Sequence, residues 1–106
     1  MMDIDIDYLK DYGFTDENID NLLNKMGKEE IDLYNINCKE LNCRNILYFL
    51  ATRGIKNLYS IVYTSPRIFD YNKEEIVDRF NKYGNIEELV NLLNEDPNNL
   101  SLIDLI

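Results

Sequence analysis

The sequence predicts an all-α fold, a single domain built as a helical bundle or a short helical-repeat array of about six to seven short helices. Three observations predict it. Apolar residues recur at the three- and four-residue spacing of amphipathic helices, capping residues precede these stretches, and glycines follow them. With 106 residues and 45% hydrophobic content, the chain is long enough for one domain, residues 1–106, and too short for two.

The first predicted helix covers roughly Ile6 to Tyr12. Aspartate and isoleucine alternate over residues 3–7 as they would in a β-strand, but a single short strand would have no partner. The acidic residues of this segment also fit a calcium loop poorly. Tyr8 and Phe14 stand where such a loop needs glycine and glutamate.

A second helix is predicted between Gly13 and Gly27. Thr15 can cap it, and acidic residues follow in the first turn, where the helix dipole favours them. We expect all four glycines of the chain to adopt the left-handed conformation just past a helix end. They are Gly13, Gly27, Gly54 and Gly84. The apolar residues at positions i, i+3, i+4 and i+7 are Ile19, Leu22, Leu23 and Met26.

The central helix is predicted to end before Gly54. Asn42 is its expected cap, and Phe49 widens its apolar face. We expect Leu50, one turn before the glycine, to be buried at the centre of the core. The apolar residues with helical spacing are Cys43, Ile46, Leu47 and Leu50.

Three shorter helices are predicted after it. One runs from about Lys56 to Thr64 and ends at Ser65, because Pro66 disfavours helical geometry in the residue before it. The next runs to Gly84, and the last stops before Pro97. These two begin at capping-box pairs, Asn72 with Glu75 and Asn85 with Glu88.

The last seven residues include five large apolar side chains. We expect them to fold back as a short closing helix, because an array of helices needs its open end covered. Leu102, Ile103 and Ile106 would then face the preceding helix. The alternative is that the tail meets another subunit. The residues expected to receive it are Leu89, Leu92 and Leu93.

Composition excludes several classes of function. A net charge of −9 disfavours unspecific binding to nucleic acid or to anionic membranes. No apolar run reaches ten residues, and the acidic start is not the basic region of a signal peptide, so we expect a cytoplasmic protein. There is no histidine, no glycine-rich phosphate loop and no nucleophile beside a recognisable base, so we expect neither enzymatic activity nor a cofactor.

The two cysteines, Cys38 and Cys43, stand five residues apart. Without histidine or a second cysteine pair they cannot form a four-ligand zinc site, so no metal is expected. We expect two reduced, partly buried thiols.

Three segments of the chain begin alike, with a glycine step, an apolar residue and a short amphipathic helix. They start at Tyr12-Gly13-Phe14, Arg53-Gly54-Ile55 and Tyr83-Gly84-Asn85-Ile86. The second and third end in a proline followed by apolar residues. Leu41-x-x-Arg44 follows the first segment, and Ile76-x-x-Arg79 follows the second.

This cadence resembles the helical repeats of the mitochondrial transcription termination factor family, in which a Gly-Ile step, a short helix, a proline and a longer helix recur about every thirty residues. The resemblance covers nearly the whole chain. The spacing departs from it, since Gly13 and Gly54 are 41 residues apart whereas Gly54 and Gly84 are 30 apart. It implies binding of double-stranded nucleic acid along a positively charged concave surface, which a chain at −9 lacks.

Charge is unevenly spread: residues 1–40 carry −7, residues 41–82 carry +3 and residues 83–106 carry −5. The basic residues of the middle third, with its tyrosines, suit a protein interface. We therefore predict a non-enzymatic module that binds another protein through a helical face bearing Tyr and Arg. The alternatives are nucleic-acid binding through residues 41–82 and an acidic inhibitor of a nucleic-acid-binding protein. The candidate binding residues are Arg44, Arg53, Lys56, Tyr63, Arg67 and Arg79, with Lys73 and Lys82 expected on the same surface.

Overall fold

The computed structural model describes residues 4–27 and 30–106 and confirms the all-α fold. Within these ranges there is no strand, and the helices form one body of 44 × 23 × 22 Å. The α-helices are α1 (Asp16–Met26), α2 (Glu30–Cys38), α3 (Glu40–Thr52), α4 (Leu58–Thr64), α5 (Lys73–Tyr83) and α6 (Ile86–Glu95). The 3-10 helices are η1 (Asp7–Tyr12), η2 (Pro66–Asp70) and η3 (Pro97–Ile103).

Most predicted helix starts are confirmed. The Thr15 side chain accepts a hydrogen bond from the Asn18 amide in a full capping box, and Asn72 does the same for α5. Asn57 and Asn85 cap α4 and α6 through one hydrogen bond each. The expectation for Asn42 is wrong. It lies inside α3, which begins at Glu40, and its amide donates to the Tyr71 carbonyl at 2.9 Å.

The same pattern of two backbone hydrogen bonds closes three of the helices. Gly13, Gly54 and Asp104 have positive φ, and each donates its amide to the carbonyl three residues earlier. The next residue in the chain donates its amide to the carbonyl of the residue five positions before itself. Together the two bonds satisfy carbonyls at the end of the helix. Those following residues, Phe14, Ile55 and Leu105, are all buried.

The prediction for Gly27 is wrong in its conformation. Gly27 follows the end of α1 but has φ −55°, which is right-handed. Gly84 has a positive φ of 97°, but its ψ of −68° lies outside the left-handed helical region, so only the sign of φ agrees with the prediction.

Helix α2 has no counterpart among the predicted helices. Its apolar residues do not fall on one side, because Ile31 and Tyr34 are exposed while Ile36 is buried. The buried side is partly polar. Asn35 lies there and donates to the Asp70 carboxylate at 2.6 Å, which ties α2 to the end of η2.

The core centres on α3, which packs against α2, α4 and α5 as well as η1 and η2. Leu50 is 1% exposed, as predicted. The rings of Phe49 and Phe80 meet edge to face with centroids 5.2 Å apart, which joins α3 to α5. No helix in the described part of the chain is long and apolar enough to cross a membrane.

The C-terminal segment does fold back, as a 3-10 helix that packs against α6. Of the three residues predicted to face inward, only Ile103 does so. Leu102 and Ile106 are 50% and 53% exposed, whereas Leu100, Ile103 and Leu105 are buried. A 3-10 helix has three residues per turn, so residues 100 and 103 share a side and residue 102 does not.

The two cysteines differ more than predicted. Both are thiols, but Cys38 is exposed and Cys43 is fully buried beneath Tyr8. The Cys43 thiol donates to the Asn35 carbonyl at 3.5 Å, and burial raises its pKa to about 11. The Tyr8 hydroxyl donates to the Ile36 carbonyl at 2.6 Å.

We expect only one thiol of the native protein to react quickly with a water-soluble aromatic disulfide at about pH 8, because a buried thiol of raised pKa supplies little thiolate. The second should react after denaturation. Absorbance of the released thiol follows both phases. Replacing Cys38 with serine should remove the fast phase, and equal rates for the two thiols would contradict the buried position of Cys43.

Candidate protein-binding face

Helix α3 presents an uncharged outer side. Its two charged residues, Glu40 and Arg44, pair with each other at 2.8 Å. At the helical rotation per residue, the four residues of the outer side lie within about 60° of arc. All four are exposed, and the large ones strongly so: Leu41 is 73% and Tyr48 65% exposed. We call Leu41, Asn45, Tyr48 and Thr52 the α3 stripe.

This orientation follows from the opposite side of the helix. Cys43, Ile46 and Leu50 recur every three or four residues and are fully or almost fully buried. Burying that side fixes the rotation of α3 about its own axis. The α3 stripe is therefore held outward by the core.

The C-terminal end of the α3 stripe opens into a depression of about 460 Å³ between α3 and α6. Thr52 belongs to both, so the two features are continuous. Arg53 and Lys56 are on one side of the depression, and Ile86 and Val90 contribute apolar surface from α6. We call it the Arg53 depression; Gly54, Glu87, Asn91 and Asn94 complete its lining.

The turn that carries the two cations is tied to α6 by one side chain. The Asn94 amide donates to the Gly54 carbonyl at 3.0 Å, and its oxygen accepts from the Lys56 backbone amide at 2.9 Å. Gly54 has φ +101°, a conformation that side chains rarely adopt. The depression therefore has a fixed wall.

Arg53 lies above the face of the Phe49 ring, with its guanidinium carbon 5.4 Å from the centroid. Among the ion pairs of residues 4–27 and 30–106, none involves Arg53 or Lys56. The Arg53 guanidinium is thus positioned by an aromatic ring.

Arg44, another predicted binding residue, is held by the fold. Its guanidinium pairs with Asp11 at 2.9 Å and Glu40 at 2.8 Å and lies 5.1 Å from the Tyr8 ring centroid. Hydrogen bonds to Glu40 and Asp11 raise its pKa above the ordinary value. Arg44 therefore joins η1 to α3.

Arg79 is also held within the molecule. It donates to the carbonyls of Ile103 at 3.0 Å and Asp104 at 3.4 Å, and it lies 4.5 Å from the Tyr71 ring centroid. Its contacts connect α5 to the C-terminal turn.

The two remaining candidates lie near other elements. The Tyr63 and Tyr59 rings are in contact at a tilt of 44°, with centroids 5.5 Å apart, and the Lys25 ammonium lies 4.2 Å above the Tyr63 ring. Lys25 also donates to the Tyr63 carbonyl. Arg67 is strongly exposed, 3.8 Å from the Asp70 carboxylate.

The structure brings some of the predicted cations together and separates others. Arg53 and Lys56 share the Arg53 depression. Arg79 and Lys82 line a second depression together with three carboxylates. Arg44 lines a third, beside the N-terminal segment.

None of the four residues of the α3 stripe was predicted as a binding residue. The signal that would have found them is the absence of charge along one side of α3 in a chain that is 29% charged. Within the described residues no group of three His, Cys, Asp or Glu side chains is placed to hold a metal ion. Comparison with protein-family models, curated proteins and solved structures gave no match for this chain.

Proposed function

We propose that this protein is a non-enzymatic module that binds another protein through the α3 stripe and the Arg53 depression. One observation carries the proposal: an exposed, uncharged helix side with Leu41 and Tyr48 runs directly into a depression that has two cations on its side. The exposed Cys38 thiol suits a reducing compartment, and we place the protein in the cytoplasm.

The chemistry of this face is that of an interface core and its rim. Interface cores are depleted in charge and enriched in Tyr and Arg. Tyr48 contributes a large side chain with few rotatable bonds, so ordering it costs little entropy. Arg53 is already positioned on Phe49, which lowers the entropic cost of binding a carboxylate. A partner with an apolar strip and an acidic end fits both parts.

The order of elements supports a repeat arrangement as part of the proposal. A short helix, a second short element and a longer helix occur as α4, η2 and α5, and in the same order as α1, α2 and α3. The greater length of α1–α3 accounts for the 41-residue glycine spacing. Helical arrays bind partners along exposed helix sides, which agrees with a role for α3.

Nucleic-acid binding has less support, because Arg44 pairs with two carboxylates and Arg79 holds the C-terminal turn. Both guanidiniums already have partners within the fold, and a chain at −9 disfavours a phosphate backbone.

Affinity capture from cells of the natural source, with and without nuclease, tests the function. Quantitative mass spectrometry should identify proteins that the wild-type chain retains after nuclease and that Tyr48→Glu and Arg53→Glu variants lose by at least about tenfold. A new carboxylate disfavours an apolar contact, and the second variant also reverses the charge that would meet an acidic group.

Leu102→Glu is the control for Tyr48→Glu, since it makes the same change in charge at an exposed apolar residue on η3. It should retain the partners. Circular dichroism should show all variants folded, because each replaced side chain is exposed. Partners that survive both the Tyr48→Glu and the Arg53→Glu substitution, or that disappear with nuclease, would overturn the proposal.

A further inference from the structure

We propose that the Arg53 depression is a site for a carboxylate group of a partner polypeptide, and that an apolar side chain beside that carboxylate packs on α6. The inference rests on the proposed function, because it names the chemistry that one part of the same face recognises. Two sources carry this chemistry, the side chain of Asp or Glu and the C-terminal end of a chain.

Both cations of the depression are available to a ligand. Arg53 and Lys56 are exposed, and neither side chain forms an ion pair or a hydrogen bond within residues 4–27 and 30–106. Arg44, by contrast, already pairs with two carboxylates. A carboxylate that enters the Arg53 depression therefore displaces no internal partner of either cation.

The two cations are also held close to one another by the fold. The Arg53 guanidinium carbon lies 5.4 Å from the centroid of the Phe49 ring, and that ring is buried. The backbone of Lys56 is fixed by its hydrogen bond to the Asn94 side-chain oxygen at 2.9 Å. A guanidinium binds a carboxylate through two parallel N–H donors, and a positioned one loses less entropy on binding.

The charge of the lining matches a group with one negative charge. Glu87 is the one acidic residue among the lining residues that the structure describes, so Arg53 and Lys56 leave a net charge of +1. Glu87 forms no ion pair with either cation. A doubly charged phosphate would meet more repulsion from Glu87 than a carboxylate would.

The helix ends do not alter this balance. Thr52 is the last residue of α3, and Ile86 and Glu87 begin α6, so a negative and a positive helix end both border the depression. The two helix dipoles act in opposite directions on a group bound between them. The side chains therefore set the charge of the site.

The opposite side of the depression accepts the rest of the ligand. Ile86 is partly exposed there, and Val90 lies beside it. The Asn91 side chain also lines the depression and makes no hydrogen bond within the described residues, so it can bond a peptide group. A volume of about 460 Å³ lies in the range of small-ligand sites, which is enough for a carboxylate with one neighbouring side chain.

NMR titration of the isotope-labelled chain with N-acetyl-leucine tests the site, because this probe has one carboxylate beside one apolar side chain. It should shift the amides of residues 53–56 and 86–90 to saturation, with a dissociation constant on the order of a few millimolar. N-acetyl-leucinamide lacks the charge and should bind at least about tenfold more weakly. Equal binding of the two probes would overturn the carboxylate site.

Two further probes identify the source of the carboxylate. The peptide acetyl-Leu-Glu-amide carries its carboxylate on a side chain alone, whereas N-acetyl-leucine represents a chain end. Tighter binding of either one supports the site and assigns its source. Inorganic phosphate that binds at the same amides more tightly than both would overturn the choice of a carboxylate.

Substitutions in the lining should change the affinity for N-acetyl-leucine in opposite directions. Arg53→Gln should raise the dissociation constant at least about fivefold, because the paired donors are lost. Glu87→Gln should lower it about twofold, because a repelling charge is removed. Arg67→Gln is the control, since it removes the same charge from an exposed arginine on η2 and should leave the affinity unchanged.

Circular dichroism checks that each variant is folded, and Lys56→Gln takes the place of Arg53→Gln if the latter is not. Equal weakening in Arg67→Gln would reduce the effect to overall charge and overturn the site. Weaker binding in Glu87→Gln would contradict the position given to that carboxylate and would overturn it as well.

The two proposals fail separately. A chain that binds no carboxylate probe at about 20 mM, but whose Tyr48→Glu and Arg53→Glu variants lose captured partners, overturns the carboxylate site and leaves the proposed function in place. Carboxylate binding that depends on Arg53, together with a capture pattern that neither variant changes, overturns the proposed function instead.

Discussion

Deleting residues 100–106 should remove about 4–9 kcal/mol of unfolding free energy, which approaches the whole stability of a small domain. The deletion takes away three buried apolar side chains, Leu100, Ile103 and Leu105. It also removes the Leu105 carbonyl that accepts from the buried Ser65 hydroxyl. Losing an acceptor inside the core adds the cost of an unsatisfied donor. The truncated chain should melt far below the full chain, or lack a cooperative transition, and should aggregate.

Thermal unfolding followed by circular dichroism and light scattering measures both effects. Removing Ile106 alone is the matched control, since its side chain is half exposed and should change the melting temperature little. A truncated chain that remains monomeric with unchanged melting would show that the segment does not stabilise the fold. Loss of a dimer in such a chain would assign the segment to an interface instead.

Leu50→Ala should lower the unfolding free energy by about 2–5 kcal/mol, the range for truncating a buried leucine. Leu50 is almost completely buried in α3, the helix with contacts to α2, α4 and α5, so neighbouring side chains cannot all close the resulting cavity. Urea denaturation measures the change as a shift of the midpoint, provided that the dependence of the unfolding free energy on urea concentration is the same for both proteins.

Leu41→Ala is the control within the same helix. Leu41 is strongly exposed, so the same truncation should change stability by about 0.5 kcal/mol or less. A loss below about half a kcal/mol for Leu50→Ala, or equal losses at the two positions, would mean that the core is not centred on α3.

The predictable part of the fold is the part in which local signals agree. Thr15 and Asn72 cap helices whose apolar residues also have helical spacing, and both starts were predicted correctly. Helix α2 offers no such agreement. It buries Asn35 beside Ile36 and exposes Tyr34, because part of its inner side is a polar contact with Asp70 of η2. Asp70 is 35 residues away from Asn35 in the sequence, so no local sequence pattern predicts this contact.

The same limit explains Asn42 and the C-terminal segment. Asn42 resembles a cap because of its residue type, but its amide bonds the Tyr71 carbonyl across the fold. The tail was predicted to close the fold, and the choice of inward residues depended on its being a 3-10 helix. A period of three rather than 3.6 residues turns Leu102 outward and Leu100 inward.

The candidate site was predictable in its cations and not in its shape. Arg53 and Lys56 stood out in the sequence as part of the basic segment, but Arg44 and Arg79 had the same appearance. Tertiary contacts decide which of these cations are engaged within the fold. Arg44, for example, pairs with Asp11, which lies 33 residues away in the sequence. The Arg53 depression also needs α6, which is held against Gly54 by the hydrogen bond from the Asn94 side-chain amide to the Gly54 carbonyl.

Backbone amide NMR of the labelled chain, titrated with a partner obtained by capture, tests most directly whether α3 is the binding face. We predict that the largest shift changes fall on the α3 stripe and on residues 53–56, while amides of η3 and of the depression lined by Arg79 and Lys82 change little. Changes concentrated around Arg79 and Lys82, or spread evenly over the chain, would contradict it.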